Sequence, residues 1–138
     1  MRWPILTEII IIYTYSLRAF SINKSNSLKS TSEVDAVFKD GFKLSSKLIS
    51  LYYVKSKKEN HLRFTFSVGK KTHSLATTRN KLKRLMKEAL RLNGYGYLNH
   101  NLPYNLVFIY FSSKEESFKS IEESMKSLLL SFKNKKLS

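Results

Sequence analysis

The chain has 138 residues and a mass of 16.1 kDa, which is enough for one packed domain and too little for two of ordinary size. Its 25 Lys and Arg outnumber its 10 Asp and Glu, and the resulting formal charge of +15 indicates a polyanionic partner. Because the sequence contains no Cys, it excludes a disulfide framework and a thiolate nucleophile. This composition suits the reducing cytoplasm, where we expect the protein to act.

Most of the positive charge lies in the middle of the chain. Residues 41–112 contain fourteen basic and two acidic side chains, so this segment carries 12 of the 15 excess charges. A uniform excess would indicate only solubility, whereas a concentrated excess indicates a binding surface. The candidate binding region is therefore residues 41–112.

The N-terminal segment from Ile5 to Tyr15 is the most apolar part of the chain. Glu8 interrupts it, and its about 11 residues are too few for a membrane-spanning helix, which needs about 20. We expect an N-terminal extension over residues 1–22. It is either an extra element packed on the domain, a disordered segment, or the product of a start codon assigned too far upstream. One domain over residues 23–132 and a basic tail over residues 133–138 complete the predicted organisation.

The first half of the domain predicts one short helix and two strands. Ser30 and Glu33 have the spacing of a capping box, which predicts a helix over residues 32–40 that ends with Gly41 in the left-handed conformation. Residues 48–54 are aliphatic and aromatic, and residues 62–68 alternate between apolar and polar, as in a strand with one buried face. The Lys-rich residues between them predict a turn that joins an antiparallel pair.

The second half predicts an amphipathic helix, a strand and a last helix. Residues 78–92 carry an apolar stripe at helical spacing, with a threonine N-cap at position 77 or 78 and an end at Gly94. A strand over residues 106–111 and a helix with one apolar face over residues 118–132 follow. The sequence therefore predicts a small single α/β (α+β) domain with the element order α-β-β-α-β-α.

The predicted helix over residues 78–92 is strongly basic. Lys83, Lys87 and Arg91 lie at i, i+4 and i+8 opposite the apolar stripe, where like charges repel by about 0.2–0.5 kcal/mol per pair. A bound polyanion would relieve this repulsion, although a merely solvated face has the same pattern. At the helix start, Arg79 and Asn80 add a cation and an amide to the exposed first-turn N–H groups. This combination suits phosphate oxygens.

Three motifs resemble, in their order and spacing, the protein component of bacterial ribonuclease P. They are Phe38-Lys-Asp-Gly41, Phe66-Ser-Val-Gly-Lys-Lys71 and Arg79-Asn-Lys-Leu-Lys-Arg84. The resemblance covers about residues 28–132. It implies a ribosomal protein S5 domain 2-like fold, in which a left-handed β-α-β crossover contains the basic helix. Such a crossover departs from the right-handed rule for parallel strands.

The resemblance also implies the function. In this family an RNA subunit catalyses the Mg²⁺-dependent endonucleolytic removal of the 5′ leader from precursor tRNA, and the magnesium ions are bound mainly by RNA. The protein is a non-catalytic accessory subunit that binds the catalytic RNA and the leader. The residues implied in RNA binding are Lys70, Lys71, Arg79, Asn80, Lys81, Lys83, Arg84, Lys87 and Arg91.

Phe38 and Tyr52 are implied to lie in the cleft that holds the single-stranded leader. Aromatic faces stack on unpaired bases without a fixed sequence, which suits leaders of varied sequence. Val34 stands where the family often has a further aromatic residue in this cleft. From the helical spacing alone, Phe38 favours a place in the core, and Tyr52 fits either side of a strand.

The sequence offers little for catalysis by the protein itself. Its carboxylates are scattered, and His61, His73 and His100 share no metal-ligand spacing, so we expect no catalytic or metal-binding residues. The alternative function is that of a basic structural RNA-binding protein, similar to a ribosomal protein and without a processing role. A third is peripheral membrane attachment through the N-terminal apolar segment. We expect RNA partners, and neither a membrane nor DNA.

Overall fold

The computed structural model of the chain describes residues 20–58 and 60–137. Apart from residues 20–22, the predicted N-terminal extension lies outside the described residues. Phe20 is buried, donates its backbone N–H to the Arg91 carbonyl oxygen at 2.7 Å, and stacks its ring on His100 with centroids 4.5 Å apart. The chain is therefore already packed on the domain at this point.

The described elements follow the order α-β-β-β-α-β-α, which is one strand more than predicted. They are α1 (Thr31–Asp40), β1 (Phe42–Ser45), β2 (Ile49–Lys55), β3 (Arg63–Val68), α2 (Ala76–Asn93), β4 (Tyr104–Tyr110) and α3 (Phe118–Leu137). A 3-10 turn at Lys24–Asn26 precedes α1. Most side chains of β1 are exposed, so this strand lacks the burial pattern that reveals the others, and it forms by antiparallel pairing with β2.

The four strands form one sheet in the order β1-β2-β4-β3. The predicted antiparallel pair between residues 48–54 and 62–68 is wrong, because β4 lies between β2 and β3. β4 pairs antiparallel with β2 and parallel with β3. Four consecutive β4 residues, from Asn105 to Phe108, are buried, which is the pattern of a strand covered on both faces. The Lys-rich connection after β2 therefore crosses to the far edge of the sheet and does not form a hairpin.

The basic helix lies in a β-α-β crossover, because α2 connects the parallel neighbours β3 and β4. This crossover confirms the topology that the resemblance implies, while its left-handedness stays a prediction.

Helices cover both faces of the sheet. α2 and α3 pack on one face, and the core there includes Leu51, Phe64, Leu82, Met86, Leu106, Phe108, Met125, Leu129 and Phe132. On the other face α1 packs over a smaller cluster, in which Leu28, Val37 and Val107 are buried. Because α1 is a short helix on a four-stranded sheet, part of this second face stays open.

Two helix starts differ from the predictions. Ser30 does not cap α1 with its side chain, and its Oγ lies 3.0 Å from Ser32 Oγ. α2 begins at Ala76, with Leu75 as the N-cap residue, so Thr77 and Thr78 lie in the first turn of the helix and not before it. Both predictions rested on residue type and local spacing, whereas the start of a helix also depends on where the preceding chain is anchored.

Gly41 ends α1 as predicted but not in the left-handed conformation. Its φ of −87° and ψ of 170° are extended. A Cβ at this position would overlap the Val37 carbonyl oxygen and lie 2.7 Å from the Tyr53 carbonyl oxygen. Close approach of two backbone segments, and not a special φ angle, therefore requires glycine here.

The last helix is longer than predicted. α3 continues to Leu137, through most of the segment expected as a basic tail. Among the residues that the structure describes, no helix is long and apolar enough to span a membrane.

Candidate RNA-binding surfaces

Helix α2 presents a basic side because its opposite side is buried. Leu82, Met86, Ala89 and Leu90 recur at helical spacing and are fully buried against the sheet and α3. The same periodicity turns Asn80, Lys83, Arg84 and Lys87 away from the core, and all but the half-buried Lys83 are exposed. The predicted basic face is therefore a real surface of the folded chain.

A groove of about 580 Å³ runs between this face and the segment before α1. Five basic residues line it: Lys83, Arg84 and Lys87 from α2, and Lys24 and Lys29 from the N-terminal segment. Phe64, Thr65 and Phe66 of the edge strand β3 form its floor. No acidic residue is among the described lining residues. This groove, called the α2 groove below, combines concentrated positive charge with a partly apolar floor.

Lys24 and Lys29 were missed by sequence reasoning, because a polar segment rich in Ser, Asn and Lys has the pattern of a loop. The structure attaches this segment to β3. The buried Asn26 donates its Nδ2–H to the Leu62 carbonyl oxygen at 2.7 Å, and the Leu28 N–H donates to the Phe64 carbonyl oxygen at 3.1 Å. These hydrogen bonds join segments far apart in sequence, so no local motif could place the two lysines beside α2.

Arg79 anchors the start of α2. Its Nη1 donates to the carbonyl oxygens of His73 at 2.9 Å and of Ser74 at 2.7 Å, and the side chain is half-buried. The guanidinium therefore fixes the loop before the helix, and its remaining N–H groups are available to a ligand. The neighbouring Asn80 is exposed.

The loop that carries Lys70 and Lys71 is fixed by a buried histidine. His73 Nε2 donates to the Ser112 carbonyl oxygen at 2.8 Å, which ties this loop to the chain after β4. Both lysines are exposed. They lie between the end of β3 and the start of α2, next in sequence to the loop carbonyls that Arg79 holds.

Two of the predicted RNA-binding residues are paired with acids of the chain itself. Lys81 Nζ lies 3.5 Å from Glu115 Oε1. Arg91 donates two hydrogen bonds to Glu88, at 2.6 and 3.0 Å, and these bonds lower the pKa of Glu88 and raise that of Arg91. These two side chains therefore have less charge to offer a ligand than the three that line the α2 groove.

A second cleft opens between α1 and the strands β3 and β4, with a volume of about 380 Å³. Val34 and Phe38 of α1 form one wall, and Thr65, Ser67 and Val107 of the strands form the floor. Lys29 borders the cleft at the β3 side. The ring of Phe38 is 41% exposed, so Phe38 is not a core residue and belongs to the cleft wall.

Tyr52 contributes to this cleft indirectly. It is half-buried in the small core under α1, and its ring meets that of Phe38 edge to face with centroids 4.9 Å apart. Lys43 Nζ also lies over the Tyr52 ring, 5.5 Å from its centre. Phe38 thus lines the cleft, and Tyr52 supports Phe38 from behind.

An ion pair also holds α1 over the sheet, in addition to the apolar cluster beneath the helix. Glu33 of α1 accepts two hydrogen bonds from Arg63 of β3, one of them at 3.2 Å from Nη1 to Oε1. These hydrogen bonds hold the pKa of Glu33 below its ordinary value of 4.5. The pair joins the first turn of α1 to the edge of the sheet and so maintains one side of the cleft.

The cleft and the α2 groove are continuous. Ser27, Lys29, Thr65 and Phe66 line both, so the two depressions meet across the edge strand β3. An extended ligand in the cleft could therefore approach a second ligand on α2 without leaving the basic surface.

The described residues show no group of three or more His, Asp and Glu side chains that could hold a metal ion. His61 Nε2 donates to the Ser25 carbonyl oxygen at 2.8 Å, and His100 stacks on Phe20, so both have structural partners. This part of the chain therefore does not fit a magnesium site of its own. Its chemistry is that of a nucleic-acid-binding α/β domain, with positive charge for phosphates and an aromatic cleft for bases.

Comparison with known proteins agrees with this class. Residues 22–133 match the Ribonuclease P family. A ribonuclease P protein component from Clostridioides difficile (strain 630) is 38% identical over 100 residues, which cover 72% of this chain and 84% of that protein. One from Clostridium botulinum (strain 657 / Type Ba4) is 38% identical over 109 residues, which cover 77% and 93%.

Solved structures of the same kind share the fold. The ribonuclease P protein of Staphylococcus aureus superposes with a TM-score of 0.66 at 23% identity, over 78% of this chain and 94% of that one. That of Thermotoga maritima superposes with a TM-score of 0.62 at 26% identity, over 75% and 94%.

The chain belongs to the ribonuclease P protein family. It is the accessory protein subunit of an endoribonuclease, in partnership with the ribonuclease P RNA, and acts in the processing of tRNA 5′ ends. The complete enzyme is a ribonucleoprotein nuclease of a generally metal-dependent kind.

Proposed function

We propose that this chain holds the single-stranded 5′ leader of precursor tRNA in the cleft between α1 and the sheet, while the α2 groove and the start of α2 bind the catalytic RNA. The observation that carries the proposal is the continuity of these two surfaces across β3. Because one subunit then contacts both RNAs, it positions the leader relative to the RNA that cleaves it.

The cleft has the properties that a single strand of variable sequence requires. Phe38 offers an exposed ring for stacking, and Lys29 offers a cation for a phosphate. Thr65 and Ser67 provide hydroxyl groups that both donate and accept hydrogen bonds. Val34 offers an apolar contact in place of a second stacking ring, so Phe38 carries most of the base stacking in this cleft.

The α2 groove suits the phosphates of a structured RNA. Its five basic side chains come from two separate segments, and this arrangement surrounds a backbone from two sides. Arg79, Asn80, Lys70 and Lys71 extend the same surface beyond the helix start. Lys81 and Arg91 contribute less, because Glu115 and Glu88 already partly neutralise them.

Magnesium is the metal that we propose for the reaction, and we place it in the catalytic RNA. The protein has no fitting ligand cluster in its described part, so it supplies no metal ligand in this proposal. Its own contribution is to neutralise phosphates, which lowers the repulsion between the two RNAs.

The test is cleavage of a precursor tRNA by the cognate catalytic RNA at low magnesium concentration, with and without the protein. We expect faster cleavage at the mature 5′ end when the protein is present, and no cleavage by the protein alone. A Lys83→Gln/Lys87→Gln variant tests the surface, and Lys119→Gln/Lys126→Gln, at two exposed lysines on α3, is its matched control. RNA binding without any stimulation would contradict the proposal and favour a structural RNA-binding protein.

A further inference from the structure

A third depression lies at the opposite edge of the sheet from the α2 groove. It has a volume of about 470 Å³ and is lined by Phe42, Lys43, Leu44, Tyr53, Lys55, Tyr104 and Lys135. We call it the β1-edge groove. It combines three aromatic residues with three lysines, and no acidic residue is among its described lining residues.

The aromatic residues of the β1-edge groove form a supported platform. Tyr53 packs edge to face on the buried Phe132 of α3, with ring centroids 5.1 Å apart, and Tyr104 packs on the same ring at 5.5 Å. Phe42 packs on Tyr53 at 5.6 Å, yet it is 67% exposed. An aromatic ring held from below and open above, next to lysines, is suited to stack an unpaired base whose phosphates contact the cations.

The β1-edge groove is linked to the leader cleft. Phe38 in the cleft wall contacts Tyr52, and Lys43 lies over the Tyr52 ring and also borders the β1-edge groove. Along the chain, Phe38 at the end of α1 is followed after three residues by Phe42 at the start of β1. A line of aromatic and basic side chains therefore leads from the cleft around the end of α1 to the edge of the sheet.

We infer that the β1-edge groove binds the nucleotides of the 5′ leader that are farther from the cleavage site than those in the cleft. This inference rests on the proposed function. The α2 groove adjoins the cleft on the β3 side, so a catalytic RNA bound there places the cleavage site on that side. The rest of a long leader then leaves the cleft on the opposite side, toward β2 and the edge strand β1. The groove opens on the face of the sheet that α3 covers, so these nucleotides reach it by turning around β1, where Lys43 borders the groove.

The experiment compares precursor tRNAs with leaders of about 5 and about 15 nucleotides, together with mature tRNA, for binding to the reconstituted holoenzyme. We expect the long leader to bind more tightly than the short one. We expect Phe42→Ala to lower the affinity for the long leader about fivefold or more, as for one lost stacking contact, and so to remove this gain. The affinity for the short leader should stay unchanged. Phe111→Ala, at an exposed aromatic residue outside all three surfaces, serves as the matched control and keeps the gain.

A second variant makes the result independent of the folding of Phe42→Ala. Lys43→Gln/Lys55→Gln leaves the rings in place, and we expect it to reduce the salt dependence of binding for the long leader and not for the short one. A long leader that gains nothing in the wild-type holoenzyme would overturn the inference. The inference would also be overturned if Phe42→Ala lowered the affinity equally for the long leader, the short leader and mature tRNA. That result would mean that the groove binds a segment of RNA other than the leader. Failure of the proposed function differs from both outcomes, because the wild type would then not distinguish even a short leader from mature tRNA.

Discussion

Phe38 of α1 and Tyr52 of β2 meet edge to face, with ring centroids 4.9 Å apart, and this contact holds the most exposed ring of the cleft wall in place. Edge-to-face pairs favour one ring orientation. Tyr52 is half-buried, so it is the fixed member of the pair, and Phe38 presents its free surface to the cleft.

Loss of the Phe38 ring should weaken leader binding specifically. We expect Phe38→Ala to reduce the affinity of the holoenzyme for precursor tRNA about tenfold, because stacking on one base contributes about 1–3 kcal/mol. The affinity for mature tRNA, which has no leader, should stay unchanged. Equilibrium binding of both RNAs tests this, with Phe111→Ala as a control for an exposed aromatic residue. Equal losses for the two RNAs would show that Phe38 acts only through the fold.

The lysines on α2 should differ in their contribution to RNA binding. We expect Lys83→Gln and Lys87→Gln each to lower the salt dependence of catalytic RNA binding by about 0.7–0.9 log unit per tenfold change in salt, as expected for one lost phosphate contact. Lys81→Gln should have a smaller effect, because Glu115 lies 3.5 Å from Lys81 Nζ. Binding isotherms over a range of salt concentrations measure the slopes. Identical slopes for all three variants would contradict a binding surface centred on the α2 groove.

Lys24 and Lys29 should behave like the α2 lysines. Both line the α2 groove although they lie far from α2 in sequence. We expect Lys24→Gln/Lys29→Gln to weaken catalytic RNA binding and to lower its salt slope by about 0.7 for each lost contact. Lys57→Gln/Lys58→Gln removes the same charge from the connection after β2 and is the control. If the control lowered the salt slope as much as Lys24→Gln/Lys29→Gln did, the net charge of the protein and not the groove would determine binding.

The Glu33–Arg63 pair should make stability depend on pH in the acidic range. The pKa of Glu33 is lowered below 4.5 in the folded state by hydrogen bonds from Arg63. The contribution of the ionised Glu33 to the free energy of unfolding is therefore complete above the unfolded-state pKa. It is lost as the pH falls through the lowered pKa of the folded state. We expect Glu33→Gln to decrease the free energy of unfolding by about 1–2 kcal/mol at neutral pH, since Arg63 loses its charged partner.

Urea denaturation of wild type and Glu33→Gln at several pH values measures this dependence. The difference between the two proteins should be constant down to about pH 4.5 and should shrink at lower pH. Asp35→Asn removes one charge from the same helix and is the control. A difference that stays constant into strong acid would mean that the carboxylate charge of Glu33 contributes nothing.

Gly41 should tolerate no side chain. In Gly41→Ala the new Cβ would press on the Val37 and Tyr53 carbonyl oxygens, so we expect a loss of about 1–3 kcal/mol in the free energy of unfolding. Gly69→Ala is the matched control, because its Cβ would meet Thr72 Oγ1 at an ordinary 3.5 Å. Thermal or chemical denaturation compares the two, and equal stabilities would mean that the backbone at Gly41 relaxes easily.

The basic helix was predicted well because its signal is local. Leu82, Met86 and Ala89 define the buried side through spacings of three and four residues, and the opposite side then follows from helix geometry. The roles within that helix were not predictable in the same way. Arg79 donates hydrogen bonds to loop carbonyls, and Arg91 donates hydrogen bonds to Glu88. The sequence shows only that both residues are cations, and does not show that their side chains already have partners within the chain.

The sheet shows the opposite case. Residues 62–68 alternate in the same way whether they pair with β2 or with β4, so the period does not reveal the partner. The burial of β4 on both faces placed it in the centre and moved β3 to the edge. β1, with mostly exposed side chains, had no periodic signal to detect.

The sequence by itself determined the class of protein, the basic helix and the crossover that contains it, because charge, helical period and family motifs are properties of short segments. Only the tertiary structure decided the strand order, brought Lys24 and Lys29 beside α2, and placed the ring of Phe38 against that of Tyr52. These relationships join segments far apart in sequence. They depend on which faces are buried together, and no local pattern contains that information.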